Sequence, residues 1–280
     1  MHSKKFKAYL DLTRPVNVGI TMLSIPAASI LAGAKPNQWL QVILAALTGG
    51  FVAAAANSIN DYFDVNIDKI NKPGRPIPRG DASKKEAWIE WLVLSCIAVS
   101  LNVALNKYAM GIVVCAVILL YWYSAQLKRT FVIGNIVVAL MTGMAFMYGA
   151  VVVGNLGRAF MPAIFAFLVN LTREIIKDIE DMEGDKRENA MTLPVRFGTA
   201  PALWLASLSI VLLIASTITA YQLNIYTVLY LYPVLFVDML LLAVLIAMWK
   251  DQSPATMGRL SDGLKVCMLV GLIAIFLGSP

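Results

Sequence analysis

Apolar residues run along this chain in long stretches separated by short polar joints. Several stretches reach about twenty residues, the length that spans ~30 Å of hydrocarbon as a helix. They predict helices at Val16–Ala34, Trp39–Asn60, Ala87–Leu105, Tyr108–Gln126, Asn135–Val153, Met161–Asp181, Pro201–Tyr221, Ile225–Trp249 and Ser261–Leu277. The joints carry turn chemistry, as in Lys35-Pro36-Asn37, Asn106-Lys107 and Asp251-Gln252-Ser253-Pro254. The expectation is an all-α polytopic membrane protein with nine transmembrane helices, termini on opposite sides and no soluble domain between the runs. The opening MHSKKFKAYLDLTRP is basic and then apolar, like a secretory signal, but the first run is longer than a usual signal core and reads as a retained helix. His2 is placed in a mobile terminus.

Charge orients these helices. With the N-terminus in the cytoplasm, all of the 23 Lys and Arg except Lys35, Lys107 and Arg158 fall on the cytoplasmic side. That bias fits the positive-inside rule. The net charge of +6 therefore needs no nucleic acid partner, because topology and an anionic leaflet or substrate account for it. His2 is the sole histidine, so a histidine triad or zinc site has no material. Cys96, Cys115 and Cys267 lie inside apolar runs without a CxxC pair and read as small buried hydrophobes. Gly49, Gly50, Gly143, Gly149 and Gly154 read as close helix packing. Asp238 lies well inside an apolar run, either facing a cavity or pairing with a neighbouring helix.

Acidic residues are concentrated in two segments at helix ends. Asn57, Asp61, Asp64 and Asp68 follow one another at steps of four, three and four, the spacing of one helix face; Glu174, Asp178, Asp181 and Asp185 repeat the same steps. Crowded carboxylates near hydrocarbon repel one another, whereas a hard divalent cation takes such an all-oxygen shell. Basic residues follow each segment: Lys69, Lys72, Arg75 and Arg79 after the first, and Lys186, Arg187 and Arg196 after the second, with Glu188 between. Mg²⁺ commonly bridges carboxylates to a substrate diphosphate, with Lys or Arg taking the remaining phosphate charge. The segments thus read as a diphosphate clamp, and the apolar helices suit a long hydrocarbon tail. Because they end the second and sixth helices, they also suggest a four-helix unit used twice, helices two to five and six to nine, within one transmembrane domain spanning residues 1–280.

A third stretch, YWYSAQLKRT at Tyr121–Thr130, offers Lys128, Arg129 and aromatic rings at the end of the fourth helix. It is open to two readings: rings facing an allylic cation, or an interfacial aromatic belt with positive-inside charge.

NDYFDVNID followed by RPIPRG, YSAQLKRT before Gly134-Asn135, and DIEDMEGD followed by TLPVRFG resemble, in order, the signature regions of the UbiA-type intramembrane prenyltransferases. The run REIIKDIEDMEGDKRENAMTLPVRFG is most similar to the archaeal digeranylgeranylglyceryl phosphate synthases within that superfamily. The resemblance implies nine helices around a central cavity, with cytoplasmic cap loops after helices two and six. It implies that Asp61, Asp64 and Asp68 hold one Mg²⁺ and Asp178 with Asp185 another, with Asp181 either a further ligand or support for the shell. Asn57, Asn60, Arg75, Arg79, Lys128, Arg129, Asn135 and Lys177 become candidates for substrate binding, and Tyr123 joins the catalytic candidates. The implied donor is geranylgeranyl diphosphate and the implied acceptor is the free hydroxyl of geranylgeranylglyceryl phosphate, in a cell membrane. Arg14 is a candidate for the acceptor phosphate, or it merely orients the first helix. Two alternatives stand beside this reading: a prenyltransferase with a quinone, haem or chlorophyll-type aromatic acceptor, and a transporter. A carrier predicts charged groups at mid-membrane, where this chain has little beyond Asp238. The sequence does not fix the oligomeric state.

Overall fold

A computed structural model of the chain describes residues 2–187 and 189–279; Glu188 lies outside them. The described residues form thirteen α-helices, short 3-10 turns and connecting loops: α1 (His2–Thr13), α2 (Pro15–Leu31), α3 (Trp39–Phe63), α4 (Val65–Asn71), α5 (Lys84–Asn102), α6 (Lys107–Ala125), α7 (Ile133–Val153), α8 (Phe160–Glu180), α9 (Met182–Arg187), α10 (Leu193–Phe197), α11 (Thr199–Gln222), α12 (Leu231–Lys250) and α13 (Pro254–Gly278). Seven of the helical stretches are long and apolar enough to cross a membrane. The 17 residues of α2 fall short of that length, and α5 opens on the charged triplet Lys84-Lys85-Glu86.

Local chemistry sets the helix starts. Ser83 and Glu86 form a reciprocal capping box on α5, with Glu86 N–H donating to Ser83 Oγ and Ser83 N–H donating to Glu86 Oε2 at 2.7 Å. Asn106 Oδ1 accepts from the Tyr108 and Ala109 N–H groups at the start of α6. Proline occupies the first turn of α2 and of α13, where its missing N–H leaves no bond unmade. Consequently α13 begins at Pro254, before the expected Ser261.

The helices sort into two compact units. One runs up to Leu127 and includes Met144–Ala159; the other comprises Lys128–Gly143 and everything from Phe160 on. In the first unit, Ile25, Ala45, Ala98, Val113 and Tyr148 belong to one buried cluster, and Asn102 Nδ2 donates to the Tyr148 hydroxyl at 2.7 Å. Small residues bring α7 against α2: a side chain at Gly149 would meet the Ile25 carbonyl oxygen, and Ser29 Oγ donates to the Gly149 carbonyl at 2.9 Å. Gly154 is different from the packing glycines. It has open space around it and φ +81°, so it ends α7 in the left-handed region.

In the second unit, α8, α11, α12 and α13 share a larger core containing Ile175, Ile176, Ile210, Leu241, Met257 and Leu264. Trp249 Nε1 donates to Ser207 Oγ at 3.0 Å between α12 and α11. Asp238 is buried and accepts from Thr217 Oγ1 at 3.1 Å, so it pairs with the neighbouring helix. Cys267 is buried, but Cys96 and Cys115 are exposed. This corrects the expectation of three core thiols: the outward face of a membrane helix is as apolar as its inward face, so an apolar run does not reveal burial.

The N-terminal residues are helical, where a mobile terminus was expected. Ala8 and Leu12 of α1 pack on Ala82 and Ala87, with Tyr62 and Ile77 at the edge. Lys5 Nζ and the Tyr9 hydroxyl both reach Glu86 Oε1, at 2.5 and 3.1 Å.

Candidate functional site

Both acidic segments break a long helix at the same place in their pattern. In the first, α3 ends at Phe63, Asp64 forms the junction and Asp68 lies on α4. In the second, α8 ends at Glu180, Asp181 forms the junction and Asp185 lies on α9. The backbone hydrogen bonds correspond: Asp64 N–H to Asn60 O and Asp68 N–H to Asp64 O; Asp181 N–H to Lys177 O and Asp185 N–H to Asp181 O, all between 2.8 and 3.0 Å. The third residue of each four-residue pattern therefore sits at a bend between a long helix and a short one.

Burial separates the two segments. Asp61, Asp64 and Asp68 are 2%, 8% and 2% exposed, and buried carboxylates need nearby cations or donors. Arg14 Nη2 donates to Asp61 Oδ1. Arg75 Nη1 bridges Asp61 Oδ1 at 3.2 Å and Asp68 Oδ2 at 2.5 Å. Asn57 faces the same junction, with Nδ2 donating to the Thr13 carbonyl at 2.7 Å. Arg14 itself has φ 53°, left-handed for a non-glycine residue immediately before a proline. The guanidinium and the preceding carbonyl are both held by α3. An open cleft of about 480 Å³ lies here, lined by Asp11, Arg14, Asp61, Lys72, Gly74 and Arg75.

Arg79 sits apart from these carboxylates. Its guanidinium donates to Asp81, to Asp11 at 3.4 Å and to the Gly74 carbonyl at 3.0 Å, clasping the segment after α4 against α1.

In the second segment, Asn135 is buried and its Nδ2 donates to Asp178 Oδ2 at 2.8 Å. Asp185 accepts from Thr192 Oγ1 at 3.1 Å. Burial pushes the Asp185 carboxyl above its ordinary range, with Asp181 adding to the effect and the Thr192 bond opposing it. Asp181 is exposed, so the bend turns it away from the face that the regular spacing assigned to it. Glu174 pairs with Arg173 at 2.7 Å, and Lys177 is half-buried.

The third stretch divides as well. Tyr121 meets Trp91 and Phe63 with ring centroids 5.1 and 5.6 Å away, and Trp122 is half-exposed. Tyr123 and Lys128 are half-buried, whereas Arg129 is exposed and its carbonyl accepts from Met191 N–H at 2.9 Å. Among the described residues no three His, Cys, Asp or Glu side chains are drawn together as a ready metal site. The chain's own guanidiniums neutralise the first segment instead.

Sequence reasoning missed the approach of α1 to α3. The signal lay in Ala8 and Leu12, one helical turn apart between Lys7 and Arg14, and in Asn57, whose partner is the Thr13 backbone.

Such a fold, with two acidic segments ending long apolar helices, defines a multi-pass α-helical membrane protein. The UbiA prenyltransferase family model matches residues 21–271. Digeranylgeranylglyceryl phosphate synthase of Methanosphaera stadtmanae is 34% identical over 272 residues, covering 97% of this chain and 98% of that protein. The protein of the same name from Thermococcus sibiricus is 36% identical, covering 98% of each chain. A solved structure described as digeranylgeranylglyceryl phosphate synthase in membranes superposes with a TM-score of 0.84 at 32% identity, covering 98% of both chains. A UbiA homologue from Archaeoglobus fulgidus bound to DMAPP and Mg²⁺ shares the fold at 22% identity, with a TM-score of 0.70 and coverage of 96% of this chain and 99% of that one. The chain belongs to the UbiA prenyltransferase family.

Proposed function

We propose that this protein transfers a geranylgeranyl group from geranylgeranyl diphosphate to the free hydroxyl of geranylgeranylglyceryl phosphate, with Mg²⁺ as cofactor. The bond from the prenyl carbon to the diphosphate oxygen breaks, an ether bond to the acceptor oxygen forms, and the hydroxyl proton is released. The observation that carries the chemistry is the pair of oxygen-only acidic segments, each ending a long apolar helix and each accompanied by cations. Kinship with relatives bearing one name over nearly the whole chain supports the choice of substrates.

The donor set fits Mg²⁺: carboxylates alone, buried in the first segment and oriented by Asn135 and Thr192 in the second. Asp61, Asp64 and Asp68 would hold one ion and Asp178 with Asp185 another. When bound, Mg²⁺ neutralises charge on the departing diphosphate. Asn57, Asn60, Arg75, Lys128, Arg129 and Lys177 bind diphosphate oxygens, Arg guanidiniums doing so through paired N–H groups. Arg14, on the cleft, takes the acceptor phosphate. Asn135 orients Asp178, and Arg79 acts by holding its segment against α1. Exposed Asp181 supports the bend, and the Tyr123 ring faces the allylic cation. The chain spans a cell membrane nine times, with α1 and both acidic segments on the cytoplasmic side.

The test is incubation of purified protein with Mg²⁺, geranylgeranyl diphosphate and a panel of acceptors, with products identified by mass spectrometry. The diether phosphate is the expected product. Prenylation of 4-hydroxybenzoate or a chlorophyllide in its place would overturn the acceptor.

A further inference from the structure

Asp61 and Asp68 are almost wholly enclosed, and the groups that neutralise them belong to the chain itself. Arg14 and Arg75 both donate to Asp61 Oδ1, and Arg75 Nη1 also reaches Asp68 Oδ2 at 2.5 Å. The arginine side chains remain 29% and 18% exposed, and both line the open cleft along with Lys72. They therefore have a carboxylate on one side and solvent on the other.

A divalent cation entering this segment must take carboxylate oxygens that guanidiniums already hold. With both cations crowded on one side chain, like charges repel; with the guanidiniums simply expelled to water, their hydrogen bonds to the carboxylates are lost. A diphosphate in the cleft removes the conflict, because its oxygens accept guanidinium N–H groups in the same planar, paired manner as a carboxylate does.

We propose that Arg75 and Arg14 are exchangeable counter-ions of the first acidic segment, holding Asp61 and Asp68 until phosphate oxygens draw the guanidiniums away, the donor diphosphate taking Arg75 and the acceptor phosphate taking Arg14, and leave the carboxylates to Mg²⁺. This rests on the magnesium-diphosphate reading above. Metal loading is then ordered: the ion alone binds poorly, and the ion with diphosphate binds well. The bend at Arg14 keeps its guanidinium within reach of both positions, since Asn57 fixes the Thr13 carbonyl while the side chain is free to change partner.

The experiment needs no turnover. Mn²⁺, standing in for Mg²⁺, is titrated into the full-length protein without diphosphate and the free ion is counted by electron paramagnetic resonance. Melting temperature is followed in chelator, in Mg²⁺ alone, and in Mg²⁺ with inorganic diphosphate. Arg75→Gln should bind Mn²⁺ alone roughly tenfold more tightly than the wild type, a factor equivalent to about 1.4 kcal/mol of removed competition. It should also melt lower in chelator and regain the difference in Mg²⁺ alone. Arg14→Gln should move in the same direction, and it decides the matter if Arg75→Gln does not fold. Mn²⁺ affinity unchanged or weakened in the folded variants overturns the exchange, while diphosphate-dependent stabilisation of the wild type by Mg²⁺ leaves the metal reading intact. Absence of any Mg²⁺ effect on the wild type, with or without diphosphate, overturns the metal reading and the exchange together.

Discussion

Replacing Gly149 by Ala adds one methyl group where α7 meets α2. The new carbon would lie 2.6 Å from the Ile25 carbonyl oxygen, 2.9 Å from Ala28 Cβ and 3.2 Å from the Ser29 nitrogen. Two of these neighbours are backbone atoms, so no flexible side chain can yield. Ordinary contact begins at 3.4 Å, which asks the helices to part by about 0.8 Å. That parting would stretch the 2.9 Å bond from Ser29 Oγ to the Gly149 carbonyl to about 3.7 Å, beyond hydrogen-bond range. Overpacking costs ~1–3 kcal/mol, and a helix-to-helix hydrogen bond in a membrane is worth about 0.6 kcal/mol. Alanine recovers ~1 kcal/mol of helix propensity. The net loss is therefore about 0.6–2.6 kcal/mol. Gly111 on α6 is the control: it is exposed and has no atom within 4 Å of an added methyl, so Gly111→Ala should be neutral or gain up to ~1 kcal/mol. Unfolding of each variant in detergent, followed by helical circular dichroism against added sodium dodecyl sulfate, measures both. A Gly149→Ala protein as stable as the wild type, or a Gly111→Ala protein that loses as much, would refute the close-packing argument.

Asp64→Asn and Asp178→Asn should each lower turnover by ~100-fold or more while keeping wild-type dichroism, and excess chelator should do the same to the unaltered protein; full activity in chelator would remove the metal from the mechanism. Arg14→Ala should raise the Michaelis constant for geranylgeranylglyceryl phosphate about tenfold and that for geranylgeranyl diphosphate much less, whereas equal shifts would take Arg14 out of the acceptor site. Single cysteines replacing exposed Lys72 and Gly157 in a cysteine-free protein should label from opposite faces of sealed vesicles, and labelling from one face would refute the orientation. Asp251, exposed between α12 and α13, accepts from the Thr256 hydroxyl and from Ser253, and those bonds hold its carboxyl below the usual range. Its contribution is complete above the unfolded value of ~3.9 and is lost as pH falls through the depressed folded value. Amide exchange at Ser253 and Thr256 should accelerate in that acid window, and exchange that ignores pH after correction for its intrinsic rate would count against the bonds.

The long helices were legible because an apolar stretch of about twenty residues admits few alternatives in hydrocarbon. What such a stretch hides is the direction each residue faces: Cys267 is buried and Cys96 is not, although both have apolar neighbours. The acidic segments were legible as residues but not as geometry. Even spacing presumes an unbroken helix, and the bends at Asp64 and Asp181 leave one buried and the other exposed. The N-terminal helix was obscured by its lysines, since a polar face is as visible in sequence as an apolar one but says nothing of where the apolar one docks. Arg75 and Arg79 look alike in KPGRPIPRG. Only tertiary placement puts the first on Asp61 and the second on Asp11.

The docking of α1 also bears on the timing of assembly. Every group that fixes it comes later in the chain: Asn57 and Asp61, then Arg79, then Glu86, which lies 81 residues beyond Lys5. At ~5–20 residues per second of synthesis, α1 waits about 4–16 s for its last anchor. Its Ala8 and Leu12 face stays uncovered in that interval, and the left-handed turn at Arg14 has no carboxylate to hold it until Asp61 is made. The first acidic segment, by contrast, has both of its arginine partners once Arg75 is made, before α5 begins. Nascent chains stalled before Glu86 should leave a cysteine at Ala8 open to labelling, and chains stalled well beyond α5 should protect it.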